Sequence, residues 1–115
     1  GPTFAILRDR AIAGIVGFRP IDRVNRVGEI GYWLAAGSQG RGIMTSCCRF
    51  LVRYAFHTLD LNRVEIAAGV HNTRSRAIPE RLGFKLEGVL REREDLYGTH
   101  LDHAMYSQLR REFVE

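Results

Sequence analysis

The chain has 115 residues, 45% hydrophobic and 26% charged, with 12 Gly and 3 Pro and a formal net charge of +4. Those values suit one folded domain with a core, and they exclude a disordered chain, a collagen-like repeat and two ordinary domains. No apolar run nears the ~20 residues that cross a bilayer, no signal peptide is legible, and the adjacent Cys47 and Cys48 cannot staple distant segments, so a reducing cytoplasm is expected. Thr3 to Leu7 reads as a strand, with Arg8-Asp9-Arg10 as its turn. Ala11 to Phe18 is a second strand, stopped by Pro20, and Asp22 to Arg26 is a polar turn. Val27 to Ala35 is a third strand, with Ile30, Tyr32 and Leu34 on one face and Glu29, Gly31 and Trp33 on the other.

After the break Ala36 to Gly42 comes the clearest helix. Ile43, Met44, Cys47, Cys48, Leu51, Val52, Ala55, Phe56 and Leu59 form one apolar stripe, leaving Arg49, Arg53 and His57 on the wet side. Arg63 to His71 alternates as a strand. Asn72 caps a short helix through Leu82, ended by Gly83. Phe84 to Arg93 and His100 to Leu109 are two strands of a hairpin around Tyr97-Gly98. The order β-β-β-α-β-α-β-β predicts an α/β fold with a mixed, twisted sheet and two helices packed on it.

Gln39-Gly40-Arg41-Gly42 lies between a strand and that strong helix. Glycines let backbone N–H groups close in on a phosphate at the electropositive end of a helix. No Gly-Lys-Ser/Thr follows, which excludes a nucleotide P-loop, and Thr45 stands where a dinucleotide fingerprint needs its third glycine. A different diphosphate fits better, as does a plain glycine loop that only starts a helix. The cations are nearly all arginine, with Lys85 the one lysine, which suits contact with phosphate or carboxylate but equally a basic surface.

Gln39-Gly40-Arg41-Gly42-Ile43-Met44 resembles the Gln/Arg-x-x-Gly-x-Gly/Ala turn of acyl-CoA enzymes, with Met44 in place of the usual small residue. Asn72-Thr73-Arg74-Ser75 followed by Glu80-Arg81-Leu82-Gly83-Phe84 resembles the signature of the GNAT superfamily of acetyl-CoA-dependent N-acetyltransferases. The stretch Lys85 to Arg91 and the tail around Tyr97-Gly98, Asp102-His103 and Tyr106-Ser107 are similar to the branch that acetylates ribosomal-protein amino termini. The likeness runs from Thr3 onward. The chain starts at what looks like the family's second strand, so a truncated acetyltransferase domain is expected, its acceptor wall completed by sequence outside this chain or by another chain.

The resemblance implies an enzyme that moves an acetyl group from acetyl-CoA to an amine by direct attack. It places the cofactor on Trp33, Leu34 and Ala35, whose backbone would pair with the pantetheine arm, and on the turn Gln39, Gly40, Arg41, Gly42, Ile43, Met44 and Thr45. Asn72 would bond the arm. Ser75 would protonate the leaving thiolate, with Tyr106 as a second hydroxyl. A backbone N–H near Leu34 or Ala35 would bind the oxyanion. A carboxylate can take the amine's proton, since an α-amine titrates near pH ~7.7–8.0. Glu94 matches an acidic position in the ribosomal-protein branch, and Glu29 is the other candidate base.

Each residue also has a plainer reading: Asn72 a cap, Ser75 a first-turn residue, Glu29 half of a cross-strand ion pair, and Arg91 to Asp95 a self-pairing charge run. Cys47 and Cys48 read as small core residues. His100 and His103 point to opposite faces and His57 and His71 stand alone, so no metal is expected. The acceptor is read as a protein amino terminus, with a small amine or antibiotic, or a non-catalytic CoA-binding module, as alternatives. No RNA-binding motif is recognisable. An open sheet edge leaves a homodimer by strand exchange as an option.

Overall fold

Alternating and helical patterns become the expected elements in the expected order in a computed structural model, which describes residues 2–35 and 42–115. They are β1 (Thr3–Arg8), β2 (Ala11–Phe18), β3 (Val27–Leu34), α1 (Ile43–His57), β4 (Arg63–Gly69), α2 (Thr73–Arg81), β5 (Lys85–Leu96) and β6 (Thr99–Leu109). A short 3-10 turn, Arg110–Glu112, follows β6. The strands form one sheet in the order β1-β2-β3-β4-β6-β5. Among the described strands only β3 and β4 run parallel, joined through α1; the other pairings are antiparallel. Among the described residues no helix is long and apolar enough to cross a membrane.

Both helices cover the same face of the sheet. Strand alternation turns Val16 and Phe18 of β2, Ile30 of β3, Val64 and Ile66 of β4, and Ala104 and Tyr106 of β6 towards them. From α1, Met44, Cys48, Leu51, Val52, Ala55 and Phe56 meet that surface, each 3% exposed or less. Burying a side chain of this kind contributes roughly 1.5–3 kcal/mol, so the α1 stripe is the main reason the helix stays on the sheet. Cys48 is fully buried and burial pushes its thiol up to about 12; Cys47 is half-buried and raised for the same reason.

The opposite face carries a polar network. Arg63 reaches Glu65 at 2.8 Å and Glu87 at 2.6 Å, and Glu87 also accepts from the Ser107 hydroxyl. On the hairpin, β5 runs to Leu96, beyond the expected end at Arg93. It does so through an irregularity: Leu90 pairs with His103, yet Glu94 pairs with Leu101. Three residues, 91–93, therefore stand against Asp102 alone. Glu92 takes φ 49°, and its N–H donates to the Asp102 carboxylate at 2.7 Å. Such a bulge redirects the side chains beyond it.

Candidate functional site

β3 and β4 pair only from Val27/Arg63 to Ile30/Ile66. Beyond that point β3 continues to Leu34 and β4 to Gly69 without a ladder between them. At about 3.3 Å per residue, the parting strands open a gap roughly 10 Å long. Arg19 donates its N–H to the Glu29 carbonyl at 2.9 Å, and Ala35 donates to the Ala13 carbonyl at 2.7 Å. Residues 29, 31, 33 and 35 therefore bond towards β2, and the peptide groups of Tyr32 and Leu34 face the β4 side. Ala35, expected to offer an oxyanion donor, turns its N–H away from the gap.

A cleft of about 440 Å³ occupies this gap on the helical face. Its walls are Tyr32, Trp33 and Leu34 from β3, Gly42 to Thr45 at the start of α1, and Asn72, Thr73, Arg74 and Ser75 at the start of α2, with Ala77, Ile78 and Arg81 behind them. Gly42 caps α1 at φ 72°, with no side chain bonded to the cap. A Cβ built on Gly42 would meet none of the described residues beyond its chain neighbours within 4 Å. Arg74 and Arg81 line the cleft and no carboxylate among the described residues does. Two helix starts, two cations and an exposed strand edge give it the chemistry that suits an extended anion.

Asn72 caps α2 through its Oδ1, which accepts the Ser75 N–H at 3.0 Å. Its amide NH₂ is not used by the cap, so the residue can cap the helix and still donate to a ligand. Pro79 sits inside α2 and is buried. Lacking an N–H, it leaves the Ser75 carbonyl without its helical partner four residues on. Tyr32 fills that vacancy: its hydroxyl donates to the Ser75 carbonyl at 2.8 Å and receives the Ser75 hydroxyl at 3.4 Å. Burial holds the Tyr32 phenol well above its ordinary value, so it stays a donor.

The cleft lining brings together Trp33, Leu34, Gly42, Ile43, Met44, Thr45, Asn72 and Ser75, but the peptide of Trp33, expected to pair with the ligand's arm, bonds towards β2 instead. Gln39, Gly40 and Arg41 lie outside the described residues. Glu29 and Glu94 do not line the cleft. Glu29 lies on the face away from the helices and pairs with Arg19 at 3.1 Å. Glu94 bonds His103 at 2.9 Å instead of its neighbours in the charge run. Tyr106 is buried, accepts from Arg76 Nε at 2.8 Å and donates to Glu80 at 2.8 Å, so it is committed away from the cleft. Among the described residues no three His, Cys, Asp or Glu converge as a metal site. Sequence reasoning missed Tyr32, Thr73, Arg74 and Arg81. The one polar residue in the inward stripe Ile30-Tyr32-Leu34 was the available signal for the first.

The sequence profile described as "Acetyltransferase (GNAT) domain" matches residues 1–85. The chain is 47% identical over 108 residues to the Bacillus subtilis (strain 168) protein named "Putative ribosomal N-acetyltransferase YdaF", spanning 94% of this chain and 59% of that protein. It is 32% identical to the ribosomal-protein-serine acetyltransferase of Escherichia coli (strain K12), over 92% of this chain and 59% of that one. Among solved structures, the microcin C7 self-immunity acetyltransferase MccE in complex with acetyl-CoA and AMP superposes with a TM-score of 0.86 at 38% identity. That likeness spans 93% of this chain and 59% of the MccE chain. The chain therefore corresponds to about 59% of the length of these relatives.

Proposed function

The chain belongs to the GNAT acetyltransferase family, and from that premise we propose that its cleft holds acetyl-CoA for acetyl transfer to the amino terminus of a protein. The observation that carries this reading is the cleft itself: parted parallel strands, the first turns of α1 and α2, two arginines and, among the described residues, no carboxylate. The fit is specific to an elongated ligand with a polyanionic end. The pyrophosphate would lie against the first-turn N–H groups of α1, from Ile43 to Thr45, with Gly42 and the adjoining Gln39, Gly40 and Arg41. The pantetheine arm would follow the edge of β3 at Tyr32 and Leu34 and receive a hydrogen bond from the Asn72 amide. Relatives named as ribosomal acetyltransferases support a protein as the acceptor.

When bound, acetyl-CoA supplies an activated acetyl thioester. Two proton movements then fall to this chain. Glu94 accepts the proton that the attacking amine must lose, and the Ser75 hydroxyl donates to the departing sulfur. Ser75 is held for this by the Asn72 cap and by Tyr32. Glu29, held in an ion pair with Arg19, is the other candidate base.

Calorimetry with acetyl-CoA tests the cleft; absence of heat with saturating ligand defeats the reading. Thiol release with peptides of varied amino-terminal residue, set against polyamines, identifies the acceptor class. Turnover with amines alone would replace the protein amino terminus by a small-molecule acceptor. Glu94→Gln should lower kcat on the order of 10²-fold and flatten the acid side of its pH profile.

A further inference from the structure

Among the described residues, the helix-free face of the sheet carries one close histidine–carboxylate pair next to the parted strands. His103 Nε2 lies 2.9 Å from Glu94 Oε1. The His103 side chain is 19% exposed and that of Glu94 45%. His103 stands directly across the ladder from Gly69, the last residue of β4, at the end of the sheet where β3 and β4 separate. Its lateral neighbours on that face, Ala67 and Gly69 of β4, Leu101 and Met105 of β6, and Gly88 and Leu90 of β5, are all neutral. Asp102 is spent on the Glu92 N–H. Among the described charged groups, Glu94 is the one that His103 meets.

The bulge in β5 creates this pairing. In a regular ladder continuing from Leu90/His103, Glu92 would face Leu101 and Glu94 would face Thr99. Two extra residues in β5 instead bring Glu94 opposite Leu101, a diagonal neighbour of His103 on the same face. The irregularity is held by a left-handed Glu92 and by the Glu92–Asp102 bond. A non-glycine residue in that conformation is strained, and such strain persists where the surrounding structure fixes it.

We propose that His103 is the positioning residue for Glu94: it donates its Nε2 proton to Oε1 and thereby aims Oε2 at the end of the gap, where an amine arriving from the helix-free face meets a thioester entering from the helical face. The proton leaves the amine nitrogen for Glu94 Oε2, while the His103 N–H remains on its own nitrogen. Base and acid then stand on opposite faces of the sheet, Glu94 on one and Ser75 on the other, on either side of the parted strands. This inference rests on the acetyltransferase reading above.

The test uses the full chain with acetyl-CoA and a peptide acceptor. His103→Ala should lower kcat about 10-fold while leaving the calorimetric affinity for acetyl-CoA and the KM for it unchanged. His103→Gln, which places a side-chain N–H near the same point, should restore kcat to within about 3-fold of the parent. Long-range ¹H–¹⁵N spectra of the parent should show the His103 proton on Nε2, and Glu94→Ala, which leaves no acceptor there, should remove that preference. An unchanged kcat in His103→Ala, or no rescue by glutamine at equal melting temperature, overturns the positioning role while the acetyltransferase reading stands. A neutral ring with its proton on Nδ1 alone overturns it without any turnover measurement. Failure of the parent chain to bind acetyl-CoA overturns both together.

Discussion

The Tyr32 hydroxyl donates to the Ser75 carbonyl at 2.8 Å, the carbonyl that Pro79 leaves without an i+4 donor. A strand residue thus completes the hydrogen bonding of a helix 43 positions away and fixes the first turn of α2 against the open edge of β3. An unpaired buried carbonyl costs about 1–3 kcal/mol. The proline is tolerated because the tyrosine is there.

Tyr32→Phe should therefore destabilise the chain by about 1–3 kcal/mol in a denaturant melt. In a Pro79→Ala background the helix regains its own N–H for Ser75, and the same change should cost less than about 1 kcal/mol. The cycle should give a coupling of about 1 kcal/mol or more. Additive costs would show that Tyr32 does not serve the carbonyl orphaned by Pro79.

Ser75 and Asn72 separate by the same logic of what each touches. Ser75→Ala keeps the N–H that Asn72 caps and removes only the hydroxyl. It should lower kcat by about 10–100-fold with acetyl-CoA affinity within about 2-fold. Asn72→Ala removes a cap worth about 1 kcal/mol and an amide donor to the arm. It should lower the melting temperature and weaken acetyl-CoA binding several-fold in calorimetry. A Ser75→Ala variant with parental kcat would leave the thiolate to another donor.

What the sequence reveals here is whatever one element decides for itself. The alternation of Ile30, Tyr32 and Leu34 against Glu29, Gly31 and Trp33 is visible from spacing, as are the α1 stripe and the Asn72 cap. The point where β3 and β4 part belongs to neither strand alone, because register is a property of the pair. For the same reason the direction of the Ala35 N–H needed β2 to be placed beside it. The run Arg91 to Asp95 looks like a solvated, self-pairing strip; the bulge that aims Glu94 at His103 depends on Asp102 of the partner strand.

Stability against acid follows from Glu87. The Arg63 guanidinium, and after it the Ser107 hydroxyl, hold its carboxyl below the ordinary value of 4.5. A carboxyl lowered in the folded state contributes stability that is present above the unfolded value and is lost as pH falls through the folded one. The melting temperature should thus fall as pH drops below about 4.5, and Glu87→Gln should make that fall shallower while lowering the plateau at neutral pH. Asp60 and Glu112 are also lowered, by Arg110 with Arg26 and by the Leu109 N–H with Lys85, so part of the acid sensitivity should survive the substitution. Melting curves from pH 3 to 7, read at about half-unit steps, decide it. Parallel curves for parent and variant would remove Glu87 from the account.

Gly14 links the packing of the sheet to the cleft. It lies opposite Leu34 in the β2–β3 ladder. A Cβ there would come within 2.5 Å of the Trp33 carbonyl oxygen and 2.7 Å of Leu34 Cδ1. The first of these is backbone and cannot swing aside, so Gly14→Ala must push the end of β3 towards β4, narrowing the gap between Leu34 and the starts of α1 and α2. Overpacking of this kind costs about 1–3 kcal/mol. The variant should melt lower and bind acetyl-CoA several-fold more weakly, in one step. Gly88→Ala is the matched control, because a Cβ on Gly88 meets nothing within 4 Å. If Gly14→Ala loses stability but keeps its affinity, the end of β3 is not a wall of the binding site.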